Sequence, residues 1–425
     1  MSAAPEQLKD GQLEDGQPED GPLAGLTVVD MTTLAMGPLA AQTLGDYGAD
    51  VIKVESPSGD PFRATLPTRS PGMGHVFLQF NRNKRSLAID LKAPAVREPF
   101  RRLVASADIF LSNVRPAAMK GLALDYESVR AMNPGIIYCA AYGFSERGPY
   151  AGRPAADDTI QAMSGLASLQ GRATGTPQLV ASVVADKAVG LMLVNAVMAA
   201  VIHRMKTGQG RFIEVPMFEA MVAFVMPEHL GGLAYEPSLG ASGYSRIINP
   251  MRRPYATSDG HLCVLPYTTP QWQRFFKLIG REDLAGDAEL ADPVKRNARL
   301  HELYGLIAAA MPSRSTKDWV ADLLAADILF GEMLGPEELV RDPHLEAVGM
   351  FPEFDHPTEG RIRLIRPPVQ ASVDGGRPLR LPPALGQHSR DILSALGMAQ
   401  SEIDDLVRAG SVVDGKCSGD GLPSV

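Results

Sequence analysis

From Lys187 to Met205 the chain reads KAVGLMLVNAVMAAVIHRM, apolar on nearly every face. A helix of that kind has no wet side, so the fold must be large enough to enclose it. A chain of 425 residues can do so, and its length argues for two domains or more. The longest apolar run, Ala188 to Ile202, is 15 residues and contains Asn195. That is shorter than a membrane span needs, which predicts a buried core helix and no membrane role. Asp186 stands just ahead of it, where an N-cap carboxylate accepts backbone N–H bonds at the positive end of the helix dipole. Such a residue is either a structural cap or a carboxylate held for chemistry.

Around that helix the text alternates between strand and helix. Thr27 to Met31 reads as a strand, Thr32 to Pro38 as a loop and Leu39 to Gly45 as a helix, with Pro38 suited to the first turn. Ala49 to Glu55 is the next strand, so the opening is a β-α-β unit of a Rossmann-like parallel sheet. Further strands are expected at Arg85 to Leu91, Ala107 to Leu111, Gly135 to Ala141 and Arg211 to Val215. Helices are expected at Ala93 to Ala105, Ser128 to Met132 and Phe218 to Met226. The loop after the first strand, TTLAMGP, lacks the GxGxxG fingerprint. A ribose-binding role for Glu55 therefore has little behind it.

Asp259-Gly260 joins Arg253 to Thr257 with His261 to Leu265, a hairpin signal. Amphipathic helices follow at Gln271 to Ile279, Asn297 to Ala310 and Lys317 to Ala325. The expected layout is an acidic tail at 1–21, a large domain at 22–230 and a linker with a small α+β domain at 231–345. Residues 346–412 return to the large domain, and 413–425 form a loose tail. The tail 1–21 carries six acids against Lys9, cannot bury enough apolar surface to order itself, and leaves the body at −3 of the total −8. No basic stripe is present, so no nucleic-acid partner is expected. Three scattered cysteines (Cys139, Cys263, Cys417) make no disulfide framework and suit a reducing cytoplasm. The eight histidines include no i,i+4 pair, and no zinc site is expected.

Several blocks resemble the class III (CaiB/BaiF-type) CoA-transferases, nearest in pattern to the formyl-CoA transferases. They include GPLAGLTVVDMTT, LGDYGADVIKVESPSGDPFR, NRNKRSLAIDLK, ADIFLSNVRPAAMKGLAL, NPGIIYCAAYGFSERGPY, the Ala185-Asp186-Lys187 approach and LGQHSRDIL. The resemblance runs from about Leu23 to Val412. It implies an α/β fold whose Rossmann-like large domain is built from both chain ends around a smaller inserted domain, in an interlocked homodimer. It implies Asp186 as catalytic nucleophile, an acyl-CoA and a carboxylic acid as substrates, and no permanently bound cofactor. Implied CoA contacts are Ala35 and Met36, Ile89 and Lys92, Asn113, Val114 and Arg115, Lys120 and Asp157. Lys84 and Arg85 read as solvated surface charges. Gly121 replaces an arginine that some members place near the adenosine phosphate, with Lys120 the nearest substitute, and Ser56 replaces a basic residue.

The same fold hosts acyl-CoA racemases, which pair a histidine with the aspartate. Ala156 occupies the histidine's place here, and alanine carries no proton. A lone carboxylate suits transfer, because an aspartate near its reference pKa of about 3.9 is ionised at neutral pH and needs no activating base. A CoA-binding protein without chemistry and a Rossmann-like nucleotide module are the other readings. Gly240 to Gly243 reads as a lid or a flexible connector. Arg246, Arg252 and Arg253 read as a second carboxylate's partners or as surface charges.

Overall fold

The computed structural model describes residues 21–369 and 379–415. The acidic segment 1–20 and the last ten residues, with Cys417, lie outside the described residues. The expected alternation is present. Strands β1 (Thr27–Met31), β2 (Asp50–Glu55), β3 (Lys84–Ile89), β4 (Ile109–Ser112), β5 (Ile137–Ala140) and β6 (Arg211–Glu214) run parallel in the order β3-β2-β1-β4-β5-β6. Val412–Val413 adds a seventh strand, antiparallel beside β3. β1 to β5 are buried along nearly their whole length, as strands covered on both faces must be. The order reverses between β1 and β4. At the carboxyl ends of those two strands, the topological switch point of such a sheet, a crevice opens.

Two compact units emerge. One gathers the described residues of Met1–Gln161, Ala181–Phe224 and Gly349–Val425; the other is Ala162–Val180 with Val225–Val348. The second unit thus takes in Ala162–Val180, which the sequence layout placed in the large domain. Its helix Leu166–Thr174 is tied down by Arg172, which donates to the Ser242 carbonyl at 3.1 Å. The rest of this unit is an antiparallel sheet of β7 (Tyr255–Ala256), β8 (His261–Leu265) and β9 (Leu329–Glu332). Helices Thr269–Leu278, Leu300–Ala310 and Thr316–Ala325 pack Trp272, Phe275, Phe276, Tyr304 and Trp319 into its core. Asp259-Gly260 makes the expected turn, with the Thr257 N–H on the Gly260 carbonyl at 2.9 Å. The Gly240–Gly243 stretch closes on its own unit through Gly243 N–H to His229 O at 2.7 Å.

The apolar helix departs from expectation. It spans Val184–Thr207, 24 residues, and by length and composition alone could cross a membrane. It is also not buried all round. Val189, Gly190, Leu193, Val197 and Val201 face the interior, while Leu191, Ile202 and Met205 are 53%, 51% and 81% exposed. The helix ends where Gly208 adopts φ 72°, which only glycine does cheaply.

Candidate active site

The crevice at the switch point is a cleft of about 860 Å³, counting its open mouth, lined wholly by residues of the first unit. The β1 loop supplies Thr33, Leu34 and Met36, the β4 loop Asn113, Arg115 and Pro116, and the β5 loop Ala141 to Phe144. Gly152 to Asp157 and Asp186 complete the wall beside Met217.

The β1 loop is held by ionic side chains beneath it. Lys53 and Lys84 are fully buried. Lys53 donates to Asp60 at 2.9 Å and to the Thr32 carbonyl at 2.9 Å. Lys84 donates to Asp30 and Asn81 at 2.9 Å and to the Pro38 carbonyl at 3.0 Å. Asp60 in turn accepts the N–H of Leu34, whose φ of 68° lies in the left-handed region. Burial draws Lys84 down to about 8 against the pull of Asp30. This corrects the reading of Lys84 as a solvated charge, and Arg85 likewise pairs with Asp50. Glu55 is no ribose ligand. Burial favours its neutral form, but the Arg63 guanidinium at 2.7 and 2.8 Å holds it down to about 2, and Ser86 Oγ donates to it as well.

Asp186 is the third residue of its helix, not its cap; Val183 takes that position without a side-chain bond. Its N–H donates to Asp157 Oδ1 at 2.9 Å, and Asp157 Oδ2 accepts Gln161 Nε2 at 2.6 Å. Gln161 also reaches the Ser182 carbonyl at 3.1 Å, closing a clamp across the helix start. Lys187 turns away to Ser182 Oγ at 2.9 Å. Among the described residues no hydrogen bond or ion pair forms on the Asp186 carboxylate. Partial burial, with the charges of Asp157 and Asp158, pushes it up to about 7. The helix N-terminus acts against that rise. The expected reference value is therefore corrected: near neutrality this carboxylate is only partly ionised.

Gly190, one turn on, sets how closely this helix lies on the first helix, Met36–Asp46. A Cβ there would come within 2.7 Å of the Met36 carbonyl oxygen. Of the residues named from the sequence, Met36, Asn113, Arg115, Asp157 and Asp186 line the cleft. Asn113 exchanges two bonds with Thr33, accepting its N–H at 3.1 Å and donating to its carbonyl at 2.9 Å. Ala35 is the buried residue before the first helix, and it caps nothing with its side chain. Ile89 and Val114 pack in the core, and Lys92 and Lys120 are exposed; these four do not line the cleft. Arg246 lies in the second unit 4.4 Å from the Tyr267 ring, and Arg252 and Arg253 are exposed.

Sequence reading missed Thr33, Leu34, Tyr142 to Phe144, Glu146 and Arg153. The signal was available: all but Arg153 follow directly on β1 or β5, at the carboxyl ends flanking the reversal. Among the described residues no histidine lines the cleft, and Ala156 stands in its wall with Asp186.

Residues 23–389 match the model of CoA-transferase family III. The succinyl-CoA:glutarate CoA-transferase of Mus musculus is 30% identical over 396 residues, 92% of this chain and 90% of its own length. The formyl-CoA:oxalate CoA-transferase of Streptomyces coelicolor is 29% identical, with coverages of 92% and 99%. A CAIB/BAIF family protein from Brucella suis superposes with a TM-score of 0.75 at 33% identity, covering 88% of this chain and 99% of that one.

Proposed function

The chain belongs to CoA-transferase family III, and from that premise we propose that it moves CoA from an acyl-CoA to a carboxylic acid with Asp186 as covalent relay. The observation that carries this reading is the unpaired, half-buried Asp186 carboxylate in a cleft at the sheet's switch point. The ionised carboxylate attacks the thioester carbonyl, the C–S bond breaks, and a mixed anhydride and CoA thiolate result. The thiolate attacks the Asp186 carbonyl of the anhydride, releasing the donor acid and leaving an aspartyl-CoA thioester. An acceptor carboxylate attacks that thioester and frees the thiolate again. The thiolate then takes the acceptor's acyl carbon and returns Asp186 as carboxylate. Each step exchanges one acyl bond for another, so the relay calls for no redox partner. Backbone N–H groups at the uncapped start of the Met36 helix are suited to each oxyanion, worth on the order of 3 kcal/mol per donor.

Racemisation has less support, since Ala156 lines the cleft where a proton-carrying histidine would be needed. The exposed stripe Leu191, Ile202 and Met205 favours a homodimer in which a second copy covers it. Two free cysteines, Cys139 and Cys263, fit a cytoplasmic setting.

The test is trapping. Donor acyl-CoA without acceptor should make Asp186 reactive to hydroxylamine, giving a donor-dependent mass change on its peptide. Asp186→Ala should lose both the tag and transfer; more than about a hundredth of wild-type turnover in that variant would exclude the relay. Exchange of a chiral donor's α-hydrogen with deuterated water, without a tag, would favour the racemase.

A further inference from the structure

Arginines of the first unit are usually spent on carboxylates: Arg63 on Glu55, Arg82 on Asp46, Arg85 on Asp50 and Arg204 on Asp108. Two that line the cleft, Arg115 and Arg153, have no acid within ion-pair distance among the described residues. Arg115 sits in the β4 loop, among the residues expected to meet CoA. Arg153 is held differently. Its guanidinium stands 5.3 Å from the Tyr150 ring and 5.7 Å from the Phe144 ring. Those rings lie 5.4 Å apart, and Phe144 packs on Phe218 at 5.8 Å, so the exposed Arg153 side chain has an aromatic platform beside it. The Arg153 N–H on the Tyr150 carbonyl at 3.0 Å fixes the turn. Stacking on rings orients a guanidinium and leaves its N–H edge free for a planar anion.

We propose that Arg153 receives the distal carboxylate of a dicarboxylic acyl group while the other carboxyl reacts at Asp186. This rests on Asp186 as the relay. Asp157, Asp158 and Asp186 make the reacting end negative and repel an incoming anion, so a fixed cation is needed to offset them. The reacting carboxyl must stay free to attack, and a bidentate grip on it would hold it back. The anion that Arg153 grips is therefore a second group on the same acid. Arg153 lies four residues before Asp157, so their Cα atoms are at most about 14 Å apart. An arginine side chain and a short diacid together bridge such a gap.

Equilibrium dialysis of the full chain tests this, with glutarate, butyrate and CoA as separate probes against wild type and Arg153→Gln. The expected result is glutarate binding weakened about tenfold or more in Arg153→Gln, with butyrate and CoA unchanged and partial recovery in Arg153→Lys. Unchanged glutarate binding, or wild-type protein that holds glutarate no better than butyrate, overturns the proposal. So does weakened CoA binding with glutarate intact, which would put a CoA phosphate on Arg153. Hydroxylamine tagging of Asp186 is read separately. A tag without glutarate selectivity sinks the Arg153 role alone, whereas selectivity without a tag sinks the relay and leaves a diacid site.

Discussion

At the residue scale the raised Asp186 sets the pH behaviour. In the proposed relay the nucleophile is the ionised form of Asp186, and its carboxyl is pushed up to about 7. Catalysis should thus fall as pH drops through that value and level off above it. A profile of kcat/KM against pH reads the free enzyme's group directly. In Asp157→Asn one of the repelling charges is gone, so the midpoint should move to lower pH; an unmoved midpoint would mean that Asp157 contributes nothing to the rise. Stability should run the opposite way. Ionising Asp186 inside the fold costs about 4 kcal/mol before solvent screening and about half that after it. Above pH 7 the carboxylate is charged folded and unfolded alike, and the fold bears that cost in full. Below the ordinary value of 3.8 it is neutral in both states and bears none. Asp186→Asn should therefore melt higher than wild type at pH 8, with the advantage shrinking toward pH 4. Equal melting at pH 8 would contradict the assigned environment.

At the scale of elements, the pairing of the Asp186 helix with the Met36 helix is set by one missing side chain. Gly190→Ala places a methyl 2.7 Å from the Met36 carbonyl oxygen, which cannot move without disturbing the β1 loop. Overpacking of this kind costs about 1–3 kcal/mol. Because Asp186 lies one turn away, kcat should fall with it, and a melting curve beside single-turnover rates would separate the two effects. A variant with wild-type stability and rate would show that the helices part freely. Helix and strand positions here were legible in sequence to within a few residues, since period and punctuation are local. The cap was misread for a tertiary reason: the Asp186 N–H is met by Asp157, 29 residues away. Val183, apolar, stands where the cap would be.

For the whole molecule, the open apolar stripe carries the prediction. Leu191, Ile202 and Met205 share one face of a helix whose other face is core. A second copy on that face predicts a solution mass twice the chain's 45.5 kDa by light scattering at micromolar concentration. Ile202→Glu should lower it by placing a charge in the contact. A 45.5 kDa species from wild type would remove the dimer. The sequence read this helix as wholly enclosed, because nothing within 24 residues says which neighbour covers which face.

By itself the sequence determined the alternation of strands and helices, the hairpin at Asp259-Gly260 and the family to which the chain belongs. Each of those depends on residues a few positions apart or on blocks of recognisable text. Only the tertiary structure decided that the loops after β1, β4 and β5 converge, with Asn113 clasping Thr33 across 80 residues. It also decided that Lys53 and Lys84 lie in the interior and that Asp186 resists ionisation at neutral pH. Burial and electrostatic potential are sums over neighbours brought together by folding, and the order of letters along the chain does not contain those sums.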